Sequence, residues 1–571
     1  MRRLIASLVL VAGCTDESTY LTVTVDRRAA VHDAANLKVT LSNAGSMRTD
    51  DLDLDGKSFP VTFTLSAPGR SGDLGIGIDA LDSTGTLVGR GAGATKLDEM
   101  TATVTLDSAD FVVNSEYAND QFLTSDYEAV GFQLAAIANG QWMASFRDEC
   151  AASTSNCAIY GRRFDSTGLP VFSELGAGNI QFELSTNPTT TGAMPAVASS
   201  GLNTLAFWDF TESSGGARGV ACRAVNEMGA SPANQLTIQA EAADVVSATG
   251  LSNSNFAVTW QMFMTSTYVT RAAIVTPGCT VVGSVQTLST TTGAFGATRS
   301  NVAVNGSTIL WSWTVDEGNT APNLGTSLWV KTSTLAPAFG TEMRLLDSTP
   351  GQTIEHVRVT PWNQGFAIAV RWASRQVDGP GKIELYRANL QGQLMGQPIL
   401  ITDESRSDFA SNKGFSIALR PDNALLVVWH VCETGAGLCD VFGRILRPTG
   451  AAVGEPFVIP TSTASEQINP SVIALSDSFV AAWNDSSGEA PDRAGTAVRA
   501  RVLTPVYDDA RGVHGATCGA AAPGAPDCGE GLACAMGTDA IQRCYYVCSP
   551  PSCPRGGTCS SADGGLMACT F

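Results

Sequence analysis

Four histidines, His32, His356, His430 and His514, are the only imidazoles in a chain of 571 residues. None stands in an HExxH pair that could hold zinc beside a general base. No serine sits in a GxSxG elbow, the strained turn that exposes a hydroxyl for acyl transfer. A glycine-rich phosphate loop and a dinucleotide fingerprint are also missing from the sequence. Carboxylates and thiols remain. Asp51-Leu-Asp-Leu-Asp-Gly56 sets three carboxylates, Asp51, Asp53 and Asp55, at alternate positions before a glycine. Alternating carboxylates can converge on a hard cation, and the glycine permits the sharp turn of a calcium loop. The twelfth position is Thr62 and not a bidentate glutamate, and Phe59 to Leu65 already reads as strand. The segment therefore reads as a polar connection between strands, with calcium as the alternative; no other metal and no cofactor is expected. Glycoside hydrolysis needs two carboxylates roughly 5–10 Å apart, which sequence spacing does not decide.

The 15 cysteines fall in four groups. Cys14 stands alone. Cys150 and Cys157, like Cys432 and Cys439, flank six-residue loops at one phase of a repeat described below, and both pairs are expected as disulfides, since the ends of a hairpin loop are close enough to bridge. Cys518, Cys528, Cys534, Cys544, Cys548, Cys553, Cys559 and Cys569 crowd residues 511–571, a segment too short to build a sufficient core without staples. Four bridges are expected there among 105 pairings, with a zinc ribbon as the disfavoured alternative. Cys222 and Cys279 lie in neighbouring repeats and are read either as buried thiols or as a bridge.

Arg2 and Arg3, the apolar run Leu4 to Val11, and Val11-Ala12-Gly13-Cys14 have the grammar of an export signal. The apolar run is far short of the ~20 residues that span a bilayer. The last four residues resemble the bacterial lipobox. The resemblance implies removal of residues 1–13, a lipid on Cys14 and a tether over 14–19; an ordinary signal peptide is the alternative. Thr15 after the cysteine favours the outer membrane, with the periplasmic and outer faces both open. Cysteine density agrees with an oxidising compartment.

A net charge of −19 argues against nucleic acid as a partner, which would need a basic face. It also argues against charge-driven binding to anionic lipid.

These residues need scaffolds, and the chain offers three. Residues 20–108 carry runs of period-two alternation, Tyr20 to Val25, Leu37 to Leu41, Val61 to Leu65, Leu74 to Ile78 and Thr101 to Leu106. Such runs bury one face and wet the other. The segment resembles an immunoglobulin-like β-sandwich in architecture, without the cysteine–tryptophan–cysteine signature.

Residues 110–508 repeat. A strand ending in an aromatic recurs at Phe146, Trp208, Trp260, Trp313, Trp372, Trp429 and Trp483, spaced by 62, 52, 53, 59, 57 and 54 residues. A turn precedes each strand, as at Asn139-Gly140 and Asn305-Gly306, and further strands follow, as at Ile159 to Phe164 and Val441 to Leu446. Four strands per unit at this period mean propeller blades, and seven marks mean a seven-bladed β-propeller. The aromatics are expected between blades. The last unit lacks an outer strand after Leu503, and Phe111-Val-Val-Asn114 is suited to supply it. The fold class is thus all-β. Sialidase-like propellers carry a Ser-x-Asp-x-Gly-x-x-Trp box, which these repeats do not match.

The build resembles uncharacterised surface lipoproteins of myxobacteria and other δ-proteobacteria, in lipobox, repeats and cysteine-rich tail. The resemblance implies a location and an architecture, and it brings no catalytic residues. The function expected is non-catalytic binding of a protein, peptide or glycan through the propeller. The alternatives are a propeller glycan hydrolase or lyase with acidic residues in the central channel, and a structural envelope protein. Carboxylates gathered in the channel would favour the enzyme; an apolar channel would favour binding.

Overall fold

The computed structural model describes most of residues 20–503 and, beyond them, four short strands, Leu532–Met536, Gln542–Tyr546, Thr558–Ser561 and Met567–Thr570. Within 20–503 the stretches 116–119, 123–132, 151–157, 172–180, 186–189, 213–217, 231–235, 290–295, 375–380, 404–408, 411–413 and 434–438, with some of one or two residues, are outside the description. The chain divides into two compact units, Met1–Ala109 and Asp110–Phe571. No helix among the described residues is long and apolar enough to cross a membrane.

The first unit holds β1 (Tyr20–Arg27), β2 (Asn36–Asn43), β3 (Ser46–Asp53), β4 (Val61–Ser66), β5 (Asp73–Leu81), β6 (Leu87–Lys96) and β7 (Thr101–Ser108). Their hydrogen-bonded order is β3-β2-β5-β6-β7-β1-β4, with β1 parallel to β7 and antiparallel to β4. Alternation does what period two requires: Leu21, Val23 and Val25 of β1 are buried with Leu37, Val39, Ile76, Ile78, Val104 and Leu106 in one core. Two strands escape the alternation pattern. β3, Ser-Met-Arg-Thr-Asp-Asp-Leu-Asp, is an edge strand with mostly polar side chains. β6 is glycine-rich, and a Cβ on Gly91 would lie 2.5 Å from the carbonyl oxygen of Thr105 on β7.

The second unit is a series of antiparallel sheets, each built round four strands and consistent with propeller blades. Sheet 1 holds Leu134–Ala136, Trp142–Cys150, Ala158–Phe164 and Gln181–Glu183. Sheet 2 holds Ala196–Ser200, Asn203–Glu212, Arg218–Asn226 and Leu236–Gln239. Sheet 3 holds Ala243–Gly250, Phe256–Met264, Thr267–Val275 and Gln286–Thr287. Sheet 4 holds Gly296–Asn305, Thr308–Thr320, Asn323–Thr334 and Met343–Asp347, and a single parallel pairing of Gly296 with Tyr268 joins it to sheet 3. Sheet 5 holds Gln352–Trp362, Gly365–Ser374, Lys382–Asn389 and Ile399–Asp403. Sheet 6 holds Phe415–Leu419, Leu425–Glu433, Cys439–Leu446 and Ala452–Val458. Sheet 7 holds Gln467–Ala474, Phe479–Asp485, Ala497–Leu503 and, from far upstream, Phe111–Val112. The first strands pack on one another in sequence, and that of sheet 7 packs on that of sheet 1, so the packing closes on itself. At this axis the backbones come close: a Cβ on Gly250 would lie 1.8 Å from the carbonyl oxygen of Ser199.

Two repeated devices hold neighbouring sheets together. The repeated aromatics lie inside the second strands, two to seven residues before their ends and not at the ends that the sequence suggested; they are buried, and each tryptophan lies in an apolar layer shared with the preceding sheet. Trp208 packs with Met143 and Ile159, Trp260 with Phe207 and Val220, and Trp483 with Val428 and Val441. The other device is a cation on the third strand that donates to carbonyls at the outer strand of the preceding sheet. Arg223 reaches Leu184 O at 2.8 Å, Lys331 reaches Leu288 O at 3.0 Å, Arg444 reaches Ile401 O at 2.6 Å and Arg501 reaches Ile459 O at 2.7 Å. Arg162 does the same across the seam, to Val113 O at 2.6 Å and Asn114 O at 3.0 Å. Hydrogen bonds from a charged donor are worth about 1.5–3 kcal/mol each, so Arg444→Ala is expected to cost about that much in a urea melt.

Candidate functional site

An open cavity of about 230 Å³ lies at the axis. Its lining comes from six first strands and is small and uncharged: Ala135, Ala198, Ser199, Ala248, Thr249, Thr360, Ile417, Ala418 and Val472 among others. A second cavity of about 530 Å³ opens at the turns between first and second strands, beside Ile137, Leu419, Arg420, Pro421 and Leu475. The first strands fold this way because both their faces are covered by neighbouring sheets. Such strands are apolar on both sides except where a polar row is needed.

One such row exists. On the first strand of sheet 5, Val357 and Val359 pack into the layer with sheet 4, while His356, Arg358 and Thr360 take the other face. Thr360 lines the axial cavity, and Arg358 is the next residue of the same row. Arg358 is 3% exposed. Its guanidinium donates to its neighbour Val357 O at 3.3 Å and stands over the Phe415 ring, 5.8 Å from the centroid. Among the described residues it has no carboxylate partner. Around it, Arg299 donates to Glu355 O, Arg371 makes a 2.7 Å ion pair with Glu355, and His430 accepts a 3.2 Å hydrogen bond from the Asn469 N–H through Nδ1. A positive pole thus sits by the axis of a protein whose net charge is −19.

The physics of that pole is costly. Burying a charge costs several kcal/mol even after relaxation. A cation–π contact returns about 0.5–2 kcal/mol and the hydrogen bond to Val357 O about 1.5–3 kcal/mol. Desolvation, with the charge of Arg299 added, pushes the Arg358 pKa down to about 9. Burial holds the His356 imidazole well below its usual range, and Arg299, Arg371 and Arg358 push it the same way. His356 is therefore neutral when folded and takes a proton only on unfolding as pH falls through its ordinary value near 6.5. Its contribution to stability is present above that value and is lost on acidification, at up to about 1.4 kcal/mol per pH unit. The melting temperature of the wild type is expected to fall further between pH 7.5 and pH 5 than that of His356→Gln; equal falls would contradict this.

Carboxylates near the sheet ends are engaged by arginines. Glu241 lies 3.5 Å from Arg271 and 3.0 Å from the Trp260 indole N–H, Glu355 pairs with Arg371, and buried Asp485 lies 3.6 Å from Arg499. No group of three or more His, Cys, Asp or Glu among the described residues is placed to hold a metal ion.

The residues singled out by sequence fare differently. Asp51 and Asp53 lie in β3, opposite Lys38 and Asn36, so only the second half of the segment read as a polar connection is one. The Asp53 carboxylate accepts the Asp55 N–H at 2.8 Å, closing a local turn. Cys432 and Cys439 form a disulfide, and so do Cys222 and Cys279, which ties sheet 2 to sheet 3 and decides between the two readings of that pair. In the tail, Cys534 stands opposite Cys544 and Cys559 opposite Cys569 in backbone register. Cys14, Cys157, Cys518, Cys528, Cys548 and Cys553 lie outside the described residues, as do the side chains of Cys150 and the four tail cysteines just named. Sequence reasoning missed Arg358 and His356. Their signal was present: Glu355-His-Val-Arg-Val-Thr360 alternates charge with valine inside a strand that must be buried on both faces.

No family model matches the sequence, and no curated protein matches it. In structure the chain is similar to the phage phi92 endosialidase, at 9% identity and a TM-score of 0.39 over 80% of each chain. It is likewise similar to an α-L-arabinanase of Penicillium chrysogenum, at 11% identity and a TM-score of 0.37, over 70% of this chain and 98% of that one. Similarity of this degree assigns neither an activity nor a ligand.

Proposed function

We propose that the chain is a lipid-anchored envelope protein that binds, without chemistry, a protein, peptide or glycan through a seven-bladed propeller. In this reading an immunoglobulin-like sandwich separates the propeller from a lipid on Cys14, in the outer membrane, and a disulfide module ends the chain. The observation that carries the binding reading is the axis itself. Its described lining is small and uncharged, with a cationic row beyond it, and the nearby carboxylates face arginines instead of each other. A glycosidase needs a carboxylate pair across open space, and sites that only bind are concave, largely apolar and fixed by a few polar groups.

The test is equilibrium binding of soluble envelope polysaccharide and peptide fractions to the full chain. Saturable retention that Thr249→Phe weakens, by filling the axial cavity, is the expected result. Retention indifferent to that substitution would move the site off the axis. For location, a protease unable to enter cells is added to intact and lysed cells, with Cys14→Ser as control. Cleavage on intact cells directs the search to extracellular partners, and protection until lysis directs it to the periplasm.

A further inference from the structure

We infer that the axial pole between sheets 4 and 6 is an oxyanion site anchored by Arg358, taking a carboxylate, phosphate or sulfate group carried by the ligand. The inference deepens the binding reading above and rests on it.

Arg358 differs from the arginines that fasten one sheet to the next. The other inter-sheet arginines are staples: Arg162 and Arg444 each donate, through Nη1, to successive carbonyls of the preceding sheet. Arg358 sits on a first strand, beside the axis, and reaches one carbonyl, that of its own neighbour, at 3.3 Å. It is 3% exposed, so water does not solvate it freely. Five N–H donors in a rigid plane match the two oxygens of a carboxylate or phosphate, and a buried guanidinium is weakly hydrated and suited to that pairing. The Phe415 ring lies 5.8 Å from the guanidinium carbon, a cation–π contact that occupies no N–H donor.

The surroundings are arranged for the same charge. Arg299 and Asn301 of sheet 4 grip the carbonyls of Glu355 and Val357, so sheets 4 and 5 are locked together at this level. His356 lies on the same face as Arg358 and stays neutral, able to donate or accept without adding charge. Glu355, the carboxylate paired in the cluster, is turned to Arg371. Thr360, two residues along the same strand face, lines the axial cavity, and in this inference the ligand's anionic group reaches Arg358 from there. In a protein of net charge −19, such a positive pole would attract an anion to the axis.

The experiment titrates the full chain, in phosphate-free zwitterionic buffer at constant ionic strength, with glucuronate, inorganic phosphate, inorganic sulfate and, as uncharged control, glucose. Calorimetry and thermal melting are the readouts. The expected result is saturable binding of at least one oxyanion with a rise in melting temperature, no response to glucose, and a loss of tenfold or more in affinity for Arg358→Gln. Glucuronate as the tightest probe assigns a carboxylate source; phosphate or sulfate assigns an esterified one. Arg358→Met guards against a folding artefact. With no anion present it is expected to melt no lower than the wild type, because it removes an uncompensated charge. No saturable oxyanion binding to the wild type, or equal binding by Arg358→Gln, overturns the inference. A lower melting point for Arg358→Met together with no oxyanion binding also overturns it and makes Arg358 a structural staple. A glucuronate-bearing oligosaccharide recovered cut would instead overturn the binding reading, whereas one recovered intact and unbound overturns only the oxyanion site.

Discussion

Deletion of residues 110–114 is expected to lower the stability of the ring of sheets by roughly 6–10 kcal/mol, far beyond an ordinary terminal truncation. Phe111 packs against the stacked pair of Trp142 and Phe164, at centroid distances of 6.2 and 5.7 Å, and losing a packed aromatic costs about 3–5 kcal/mol. Arg162, buried, would lose the carbonyls of Val113 and Asn114, and orphaning a buried charge costs about 3–5 kcal/mol. Asp492 would lose the Asn114 amide at 2.7 Å, and Val498 would lose both the Val113 N–H and the Asn114 side-chain acceptor. The third strand of sheet 7 would become an open edge, a template for aggregation. Urea unfolding of the deletion variant checks this; an unchanged midpoint would mean that the upstream strand does not close the ring.

Trp208→Ala is expected to cost about 3–5 kcal/mol, the range for emptying a fully enclosed aromatic site. Trp208 is 0% exposed and shares a layer with Met143, Ile159 and Leu184 of sheet 1 and Ala206 and Ala221 of its own sheet. The cavity left between two sheets cannot collapse, because each sheet is fixed by its other neighbour. Trp208→Phe keeps most of the contact and should cost less than half as much. A cost below about 1 kcal/mol for the alanine variant would show that the aromatic is not core. That would return the repeated aromatics to consideration as a ligand platform.

Much of this architecture was legible because repetition multiplies weak signals. One strand marked by an aromatic says little, but seven marks, Phe146 and six tryptophans, at a period of 52–62 residues locate the second strand of every sheet. The turn before it is legible for a backbone reason: Asn139, Gly201, Gly306, Asn363 and Asn423 all sit at positive φ, where Asn and Gly are at ease. The missing fourth strand of sheet 7 could be sought upstream because a ring without it has an open edge. What stayed hidden is what alternation does not mark. β3 is an edge strand without a clear apolar face, and β6 is chosen for close backbone approach at Gly91 and not for side chains.

The site was less legible than the fold. A single arginine in a strand reads as a solvated face, and only packing on both sides of the first strand of sheet 5 makes Arg358 buried. The staples Arg162, Arg223, Lys331, Arg444 and Arg501 recur on third strands, yet their carbonyl partners are some 40–50 residues earlier, or across the seam. The Cys222–Cys279 bridge was undecided for the same reason: its partners are 57 residues apart and meet only when sheet 2 packs on sheet 3.

The central claim is that the ring binds and does not cut. It is tested most directly by incubating the full chain with acidic and neutral envelope glycans and weighing every glycan afterwards by mass spectrometry, alongside the fraction retained on the protein. The account predicts saturable retention with every mass unchanged. New, smaller masses formed in proportion to protein concentration would contradict it and make the chain a glycan-cleaving enzyme.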